Sequence, residues 1–325
     1  MTLPGPDRPL PLIDSLSVVI PVYDSAAILS SLTERLSVVL PGIAALYEVI
    51  FVNDGSKDES WESILRLSGR HPWVRGVRLL RNYGQHNALL CGIRVAHYSV
   101  IATMDDDLQN PPEELAKLVA QLSGDVQVVY GTPRSNQHGP WRSTASRLTR
   151  IALSAAMGSE RARTVSTFRV FRTEIRDAFA GYHSPLVSVD VLLTWGAQAF
   201  ASVEIEFHPR AHGRSHYGFW QLVAIALDMA TGFSVLPLRL ATFVGFAFTL
   251  VGLGVLAYVT VRYLLSNVSV PGFPFLASII AIFSGAQLFA LGIIGEYLGR
   301  TYLRMMDRPP YIVHSATPPH PAVNR

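Results

Sequence analysis

Two long apolar runs without charged residues, close to the end of the chain, limit its fold more than any other feature of the sequence. They cover residues 240–261 and 272–295 and are joined by a short loop that contains proline and glycine. Each run is long enough to cross a hydrocarbon core of about 30 Å as an α-helix. Two such runs in succession are rare in soluble folds, so the sequence predicts a transmembrane hairpin within residues 236–299.

The charges beside the two runs predict how the hairpin is oriented. Arg300, Arg304 and Arg308 follow the second run, whereas the connecting loop contains only Arg262. Because cytoplasmic flanks of membrane spans are enriched in arginine and lysine, we expect a multi-pass protein of the inner (plasma) membrane, with both termini and the large preceding domain in the cytoplasm. The single cysteine, Cys91, excludes a disulfide within one chain and fits a reducing compartment.

The first part of the chain alternates between two kinds of pattern. Short runs rich in β-branched residues are typical of strands that are buried on both faces, and the amphipathic stretches between them are typical of helices. This alternation predicts an α/β domain with a mostly parallel, doubly wound, Rossmann-like sheet. The predicted strands cover residues 17–22, 48–53, 76–80, 100–104 and 126–130.

Polar side chains follow three of the predicted strands at the point where each strand ends. These segments are residues 23–25, 53–56 and 105–107. In open parallel sheets ligands bind beyond the carboxyl ends of the strands. We therefore expect the three segments to meet at one binding edge of the sheet.

The segment at residues 105–107 consists of three adjacent carboxylates, which repel one another unless a cation lies nearby. Mg²⁺ and Mn²⁺ prefer carboxylate and phosphate oxygens and commonly take one or two carboxylates from the protein. In extended backbone alternate side chains share a face, so Asp105 and Asp107 are predicted to point together while Asp106 points away. An isolated pair of this kind more often marks a solvated turn, but its position after a buried strand favours a metal site. A helix is predicted to begin at Pro112.

Six motifs occur along the chain in the order SVVIPVYDS, VNDGSKD, RNYGQHNALLCG, MDDDLQNPPEE, VVYGTPR and RAHGRSHYGF. In this order, and followed by two membrane spans, they resemble family 2 glycosyltransferases that act on polyprenyl phosphates. The undecaprenyl-phosphate aminoarabinose transferases and the bactoprenol glucosyltransferases are most similar, and the dolichol-phosphate mannose synthases less so. The resemblance implies a GT-A fold and a nucleotide-diphosphate sugar as donor, with UDP favoured over GDP. It also implies undecaprenyl or another polyprenyl phosphate as acceptor, at the cytoplasmic membrane face.

The resemblance further implies roles for individual residues. The nucleoside pocket would be formed by Pro21, Tyr23, Ser25, Val52 and Asp54. The metal ion, Mg²⁺ or Mn²⁺, would be held on the donor diphosphate by Asp105, Asp107 and Gln109, with Asp106 beside the donor. Phosphate groups would be contacted by Arg134, Arg210 and His216.

Three positions depart from the family pattern. Relatives usually carry Glu at the position of Ser25 and Lys at that of His216, and some carry a catalytic Asp where this chain has Arg163. A lipid phosphate has a second pKa of about 6, by analogy with phosphorylated side chains, and can attack without a general base. We therefore expect Arg163 and Arg210 to contribute to catalysis by holding the acceptor phosphate during an inverting transfer.

A basic stretch and two amphipathic stretches predict contact with the membrane surface. Residues 134–176 contain nine arginines against Glu160 and Glu174, a balance that suits phosphate oxygens and anionic lipids. Residues 147–158 and 219–233 are predicted to form helices in the membrane interface. Membrane lipids are therefore expected partners. Nucleic acid is not, because the stacking aromatics and soluble architecture of such binders are missing.

Two other classes of function remain open at this stage. A processive polysaccharide synthase shares the acidic motif, but it requires a channel of more helices and usually a Gln-x-x-Arg-Trp motif, which this sequence lacks. A non-catalytic membrane scaffold is suggested by Arg163 in place of the catalytic Asp. The transferred sugar and the oligomeric state, a homo-oligomer included, are left open. The expected segments are an N-terminal tail (1–14), the GT-A catalytic domain (15–210), an interface helix (211–235), the membrane hairpin (236–299) and a cytoplasmic C-terminal tail (300–325).

Overall fold

A computed structural model describes residues 12–133, 165–208, 236–266 and 272–318 of the chain. Within these ranges eight strands form one mixed sheet. The strands are β1 (Ile13–Val22), β2 (Ala44–Asn53), β3 (Val74–Leu79), β4 (Val100–Thr103), β5 (Val128–Pro133), β6 (Arg169–Arg172), β7 (Phe200–Ile205) and β8 (Val313–Ala316). The α-helices are α1 (Ala26–Ile43), α2 (Ser60–Arg70), α3 (Gln85–Val95), α4 (Leu115–Gln121), α5 (Val189–Gly196), α6 (Leu236–Ser266) and α7 (Phe273–Met305), and short 3₁₀ helices cover Pro112–Glu114 and Thr173–Phe179.

The strand order places a topological switch point in the middle of the sheet. The order is β7-β5-β6-β4-β1-β2-β3-β8, and β1 pairs in parallel with β2 on one side and with β4 on the other. The chain therefore runs outward from β1 to β3 and then returns to the opposite side of β1. Parallel sheets bind ligands at such a point, beyond the carboxyl ends of the strands. The residues that follow β1 and β4 flank it.

Helices cover both faces of the sheet because side chains on the central strands alternate between two cores. Leu16, Val18 and Ile20 of β1 face the layer that contains α1, α2 and α4. Val19 of the same strand faces the opposite layer, which contains α3 and α5. A strand with apolar side chains on both faces requires this double covering, so the predicted doubly wound architecture is confirmed.

Beyond β4 the sheet is more complex than the sequence suggested. The predicted strand at residues 126–130 is present as β5, but β6 lies between β4 and β5 and is antiparallel to both. β7 pairs in parallel with β5 at the edge of the sheet. The sequence did not reveal β6 because this strand has only four residues and begins and ends with arginine.

The two long helices near the end of the chain, α6 and α7, pack against each other. The rings of Phe248 and Phe283 meet edge to face, with centroids 5.9 Å apart. A Cβ atom at Gly252 would lie 2.8 Å from the ring of Phe283, so this glycine permits close approach of the helices. Both helices are long and apolar enough to cross a membrane. α1 is also long and apolar enough, but Leu32, Leu36 and the rest of its buried face pack against the sheet.

The chain returns to the sheet after α7 as a strand that the sequence did not predict. β8 pairs antiparallel with β3. The N–H of Thr317 donates to the carbonyl of Gly76 at 2.9 Å, and the N–H of Leu80 donates to the carbonyl of Ile312 at 2.9 Å. Part of the segment expected to be a tail therefore covers the edge of β3, which would otherwise expose unpaired backbone groups.

Glu48 is a buried carboxylate that joins three segments near the amino ends of the strands. Its Oε1 accepts hydrogen bonds from the Ser17 hydroxyl at 2.7 Å and the His97 N–H at 2.8 Å, and its Oε2 accepts one from Arg75 Nη1 at 2.6 Å. Burial acts to raise the pKa of Glu48, but these partners outweigh it and hold the pKa below the usual 4.5. A depressed pKa in the folded state means that the charged group stabilises the fold above the unfolded pKa. This stability is lost as the pH falls through the folded pKa.

We expect Glu48→Gln to lower the free energy of unfolding by about 3 kcal/mol at neutral pH, because the change leaves the Arg75 charge buried beside a neutral side chain. The difference from wild type should shrink as the pH falls through the lowered folded-state pKa of Glu48, because Glu48 itself then becomes protonated. Unfolding of the detergent-solubilised protein at neutral and acidic pH measures both effects. Glu34→Gln, on the exposed face of α1, is the matched control. An equal loss of stability at both pH values would contradict the assignment.

Candidate active site

The loops that follow β1, β2 and β3 contact one another through hydrogen bonds and close backbone packing. The N–H of Asp24 donates to Ser56 Oγ at 3.1 Å, and Asp24 Oδ1 accepts the N–H of Lys57 at 2.7 Å. Gly55 has a φ of 69°, and a Cβ atom there would lie 2.5 Å from the backbone of Arg81. Only glycine permits this approach between the loops after β2 and β3. The first two of the three polar segments that we expected to converge therefore meet, and Asp106 of the third segment interacts with Ser25 and the Tyr23 N–H of the first.

Asp54 is almost fully buried and anchors the loop that leads into α3. Its Oδ1 accepts the N–H of Tyr83 at 2.7 Å, and its Oδ2 accepts the N–H of Gly84 at 2.8 Å. Burial raises the pKa of Asp54, and these two N–H groups oppose the rise. Asp54, which we expected in the nucleoside pocket, is thus a carboxylate whose orientation is already fixed by main-chain donors.

The other residues expected around a nucleoside lie on β1 and β2 or just beyond β1. Pro21 and Val52 are direct partners in the pairing of these strands. Val52 is fully buried beneath α3, where a Cβ at Gly92 would lie 3.1 Å from its Cγ2. The side chain of Val52 therefore supports the packing of α3 on the sheet and has no exposed surface in this structure. Tyr23 is exposed, and the hydroxyl of Ser25 donates to the Tyr23 carbonyl at 3.0 Å.

The acidic segment begins just beyond β4, at the switch point, as its position in the sequence predicted. Asp106 and Asp107 lie in a turn, and Leu108 has a φ of 58°. The backbone is therefore not extended here. The extended conformation that we predicted for this segment was wrong. The direction of each carboxylate is set by its own partners instead.

Asp105 is held from two sides. Gln85 Nε2 donates to its Oδ1 at 2.6 Å, and the hydroxyl of Thr167 donates to its Oδ2 at 2.7 Å. Gln85 is the first residue of α3, and Thr167 lies just before β6, so two separate elements fix this carboxylate. Sequence reasoning missed both partners, although Gln85 belongs to the RNYGQHNALLCG motif that contributes to the family resemblance.

Asp106 lies against the end of β1. Burial is the main cause that raises its pKa to about 6, and the charges of Asp105 and Asp107 add to the rise, whereas the Ser25 hydroxyl and the Tyr23 N–H oppose it. Its Oδ2 is buried without a hydrogen-bond partner in the described part of the chain. A buried carboxylate oxygen without a donor, between two further carboxylates, fits a nearby cation.

Asp107 and Gln109 shape the turn. The N–H of Gln109 donates to Asp107 Oδ1 at 3.1 Å, and the Gln109 carbonyl accepts the N–H of His208, which lies beyond β7, at 2.9 Å. Among the described residues no group of three or more His, Cys, Asp or Glu side chains is arranged to hold a metal ion. The acidic segment therefore offers one or two carboxylates, and donor phosphates and water would complete the coordination of Mg²⁺ or Mn²⁺.

The basic residues fall into two groups. The residues expected at phosphate groups lie outside the described ranges, together with the two amphipathic stretches; they are Arg134, Arg163, Arg210 and His216. Two other arginines of the basic stretch support the fold. Arg169 is fully buried in an ion pair with Asp190, and Arg176 Nη1 donates to the carbonyl of Ala96 at 2.8 Å. The interpretation of the whole stretch as a surface for anions was therefore too broad.

Comparison with known proteins places these features in a family. The sequence profile described as "Glycosyl transferase family 2" matches residues 17–185. The undecaprenyl-phosphate 4-deoxy-4-formamido-L-arabinose transferase of Aeromonas hydrophila is 35% identical over 312 residues, which cover 94% of this chain and 95% of that protein. The transferase of the same name from Proteus mirabilis is 34% identical over 307 residues, 93% of each chain.

A solved structure shows the same architecture. Glucosyl-3-phosphoglycerate synthase from Mycobacterium tuberculosis, in complex with Mn²⁺, UDP-glucose and phosphoglyceric acid, superposes with a TM-score of 0.50 at 20% identity. The match covers 67% of this chain and 78% of that one. The domain thus has the predicted GT-A fold. Because the family profile covers more than half of the chain and the relatives match nearly all of it, the chain belongs to glycosyl transferase family 2 and is a glycosyltransferase.

Proposed function

We propose that this enzyme transfers a sugar from a nucleotide-diphosphate sugar, a UDP-sugar in preference to a GDP-sugar, to undecaprenyl phosphate or a similar polyprenyl phosphate. The observation that carries the proposal is the position of three carboxylates at the switch point of a GT-A sheet, in a chain that also contains a pair of long apolar helices. The relatives from Aeromonas and Proteus, which match the chain over nearly its whole length, are named undecaprenyl-phosphate sugar transferases. Their names support a lipid phosphate as acceptor.

The donor would lie across the switch point. Its nucleoside would face the loops after β1 and β2, where Tyr23, Ser25 and Asp54 are placed. Its diphosphate would lie beside Asp105 and Asp107. A Mg²⁺ or Mn²⁺ ion held there would neutralise charge as the nucleoside diphosphate departs.

The acceptor phosphate would attack the anomeric carbon from the side opposite the leaving group, which inverts the configuration. Since its second pKa is about 6, most of it is already ionised at neutral pH and no side chain has to remove a proton. Asp190 is a buried carboxylate at the start of α5, but Arg169 and Tyr130 already engage it. Arg163 and Arg210 are therefore proposed to hold the acceptor phosphate in line for attack.

The helices α6 and α7 would anchor this reaction at the cytoplasmic face of the inner membrane. If each helix crosses once, the chain returns to the side from which it started. The pairing of β8 with β3 supports this topology, because it joins the chain after α7 to the catalytic sheet. Arg300, Arg304 and Arg308 then lie on the cytoplasmic side, in agreement with the usual charge bias.

Sugar transfer by the full-length protein in lipid nanodiscs tests the proposal. Undecaprenyl phosphate is offered with a panel of labelled UDP- and GDP-sugars that includes UDP-linked 4-deoxy-4-formamido-L-arabinose. We expect one donor to give a polyprenyl-phosphate sugar with inverted anomeric configuration, in a reaction that needs a divalent cation. A polymeric product would instead favour a polysaccharide synthase. Absence of turnover with every donor would favour a scaffold.

The residue that replaces the catalytic Asp of some relatives provides a second test. We expect Arg163→Ala to raise the acceptor KM about tenfold, because a charged hydrogen bond to the phosphate is lost. Arg163→Asp should not raise kcat, since no base is needed. Steady-state kinetics from about pH 5.5 to about pH 8.5 measure kcat and KM for both variants. Arg66→Ala, at an exposed position on α2, is the control. A strong gain in kcat for the Asp variant would show that this position requires a base.

A further inference from the structure

A continuous network of hydrogen bonds connects the protein core to Asp105. At its inner end the fully buried Arg169 forms an ion pair with Asp190. Arg169 Nε donates to the Thr103 hydroxyl at 3.0 Å, and that hydroxyl donates to the carbonyl of Thr167 at 2.7 Å. The hydroxyl of Thr167 in turn donates to Asp105 Oδ2 at 2.7 Å.

The donor and the acceptor in each hydrogen bond of this network follow from the chemical groups involved. Arg169 can only donate, so the Thr103 oxygen accepts from it and the single Thr103 proton goes to the Thr167 carbonyl. Thr103 and Arg169 are also direct partners in the pairing of β4 with β6, which sets their separation. The segment that carries Thr167 is therefore held against the end of β4, with its hydroxyl proton directed at Asp105.

The buried ion pair at the inner end is weak evidence for added stability. Burying two charges costs solvation free energy, and such pairs commonly contribute little net stability. Arg169 Nη2 is also buried without a partner among the described residues. Tyr130 donates a further hydrogen bond to Asp190 Oδ1 at 3.1 Å, which restrains the pair from the β5 side.

We propose that Thr167 and Thr103 are positioning residues, which orient the Asp105 carboxylate so that it binds the divalent cation. Thr167 holds one oxygen of Asp105 and Gln85 holds the other, so the carboxylate cannot rotate freely. Hydrogen bonds that orient a metal ligand typically change metal affinity by about 10- to 100-fold. The inference rests on the proposed function, because it takes Asp105 as a cation ligand.

Binding of Mn²⁺ to the full-length protein in the presence of UDP, measured by electron paramagnetic resonance, tests this inference without turnover. Thr167→Val removes the hydroxyl and keeps the shape of the side chain. We expect it to raise the Kd for Mn²⁺ by about tenfold or more, and we expect Thr167→Ser to remain within about threefold of wild type. Thr103→Val should act in the same direction. Thr33→Val is the matched control, because Thr33 is also buried but bonds only within α1.

Kinetics separate positioning from general damage. The lost transfer activity of Thr167→Val should return at high Mn²⁺ concentration, which a misfolded protein would not show. Gln85→Ala provides a second variant at an exposed position, where folding is not at risk, and we expect it to weaken Mn²⁺ binding as well. Unchanged Mn²⁺ affinity in Thr167→Val would overturn the inference, whatever Gln85→Ala shows, and would leave the proposed function intact. Full transfer by the wild-type protein in a chelator would overturn the role of Asp105 as a cation ligand, and the inference with it.

Discussion

Asp107→Asn is expected to lower kcat for sugar transfer by about 1000-fold or more, and Asp105→Asn by a similar factor, because about 4 kcal/mol of transition-state stabilisation is lost with the charge. The leaving nucleoside diphosphate carries several negative charges, and the cation that these carboxylates are proposed to hold would neutralise them. The fold should persist. Asp107 is half-buried and accepts the N–H of Gln109 through Oδ1, an atom that asparagine retains.

Transfer to undecaprenyl phosphate at saturating Mg²⁺ or Mn²⁺ measures this effect, and the Tm of each variant shows whether the protein is intact. Asp125→Asn is the matched control, because this carboxylate is exposed in the loop before β5. We expect the control to keep the wild-type kcat. Full activity of Asp107→Asn in the presence of a chelator would end the metal hypothesis.

The central part of the fold could be predicted because its signals are local. The strands expected at residues 48–53 and 100–104 lie within or overlap β2 and β4, since strands buried on both faces have apolar runs that turn residues interrupt. The buried face of α1 includes Leu29, Leu32, Leu36 and Leu40, whose spacing of three and four residues is the local pattern of an amphipathic helix.

Contacts between distant parts of the chain could not be predicted in this way. β8 is a short, mostly exposed strand, and the hydrogen bond from the Gly76 N–H to the hydroxyl of Thr317, the residue after β8, joins positions 241 apart. The bond from Thr167 to Asp105 spans 62 positions. No local sequence pattern predicts such pairs. The sequence therefore placed the acidic segment correctly at the end of a strand but not the partners that orient it.

The arginines show a second limit of sequence reasoning. Composition counts charge but does not show which charges are buried, so Arg169 was grouped with arginines expected to face phosphate. The sequence around Asp190, the ion-pair partner of Arg169, contains a signal that could have identified a buried pair. Asp190 is a lone acid within the apolar stretch at residues 186–193, and a buried carboxylate almost always has a partner. An arginine within a short strand is a suitable one.

Replacement of residues 236–305 by a flexible linker is expected to lower kcat/KM for undecaprenyl phosphate by about 100-fold or more, because α6 and α7 are proposed to hold the catalytic domain where the lipid phosphate is presented. Affinity for UDP should not change, since the described residues that are proposed to bind the donor lie in the sheet domain. The replacement must keep β8. A truncation at residue 235 would also remove this strand and expose the edge of β3, so lower activity would then have two explanations.

Two further measurements show whether the helices act by anchoring or by contact with the lipid. A short-chain, water-soluble polyprenyl phosphate does not need delivery from a membrane, so the linker variant should use it within about threefold of the wild-type rate. An unrelated two-helix membrane hairpin in place of residues 236–305 restores anchoring without the native side chains. Recovery of activity with undecaprenyl phosphate in that chimera would assign the effect to anchoring alone, and continued loss would indicate that α6 and α7 contact the acceptor. Wild-type kinetics of the linker variant with the long-chain acceptor would show that the hairpin is dispensable and contradict the prediction.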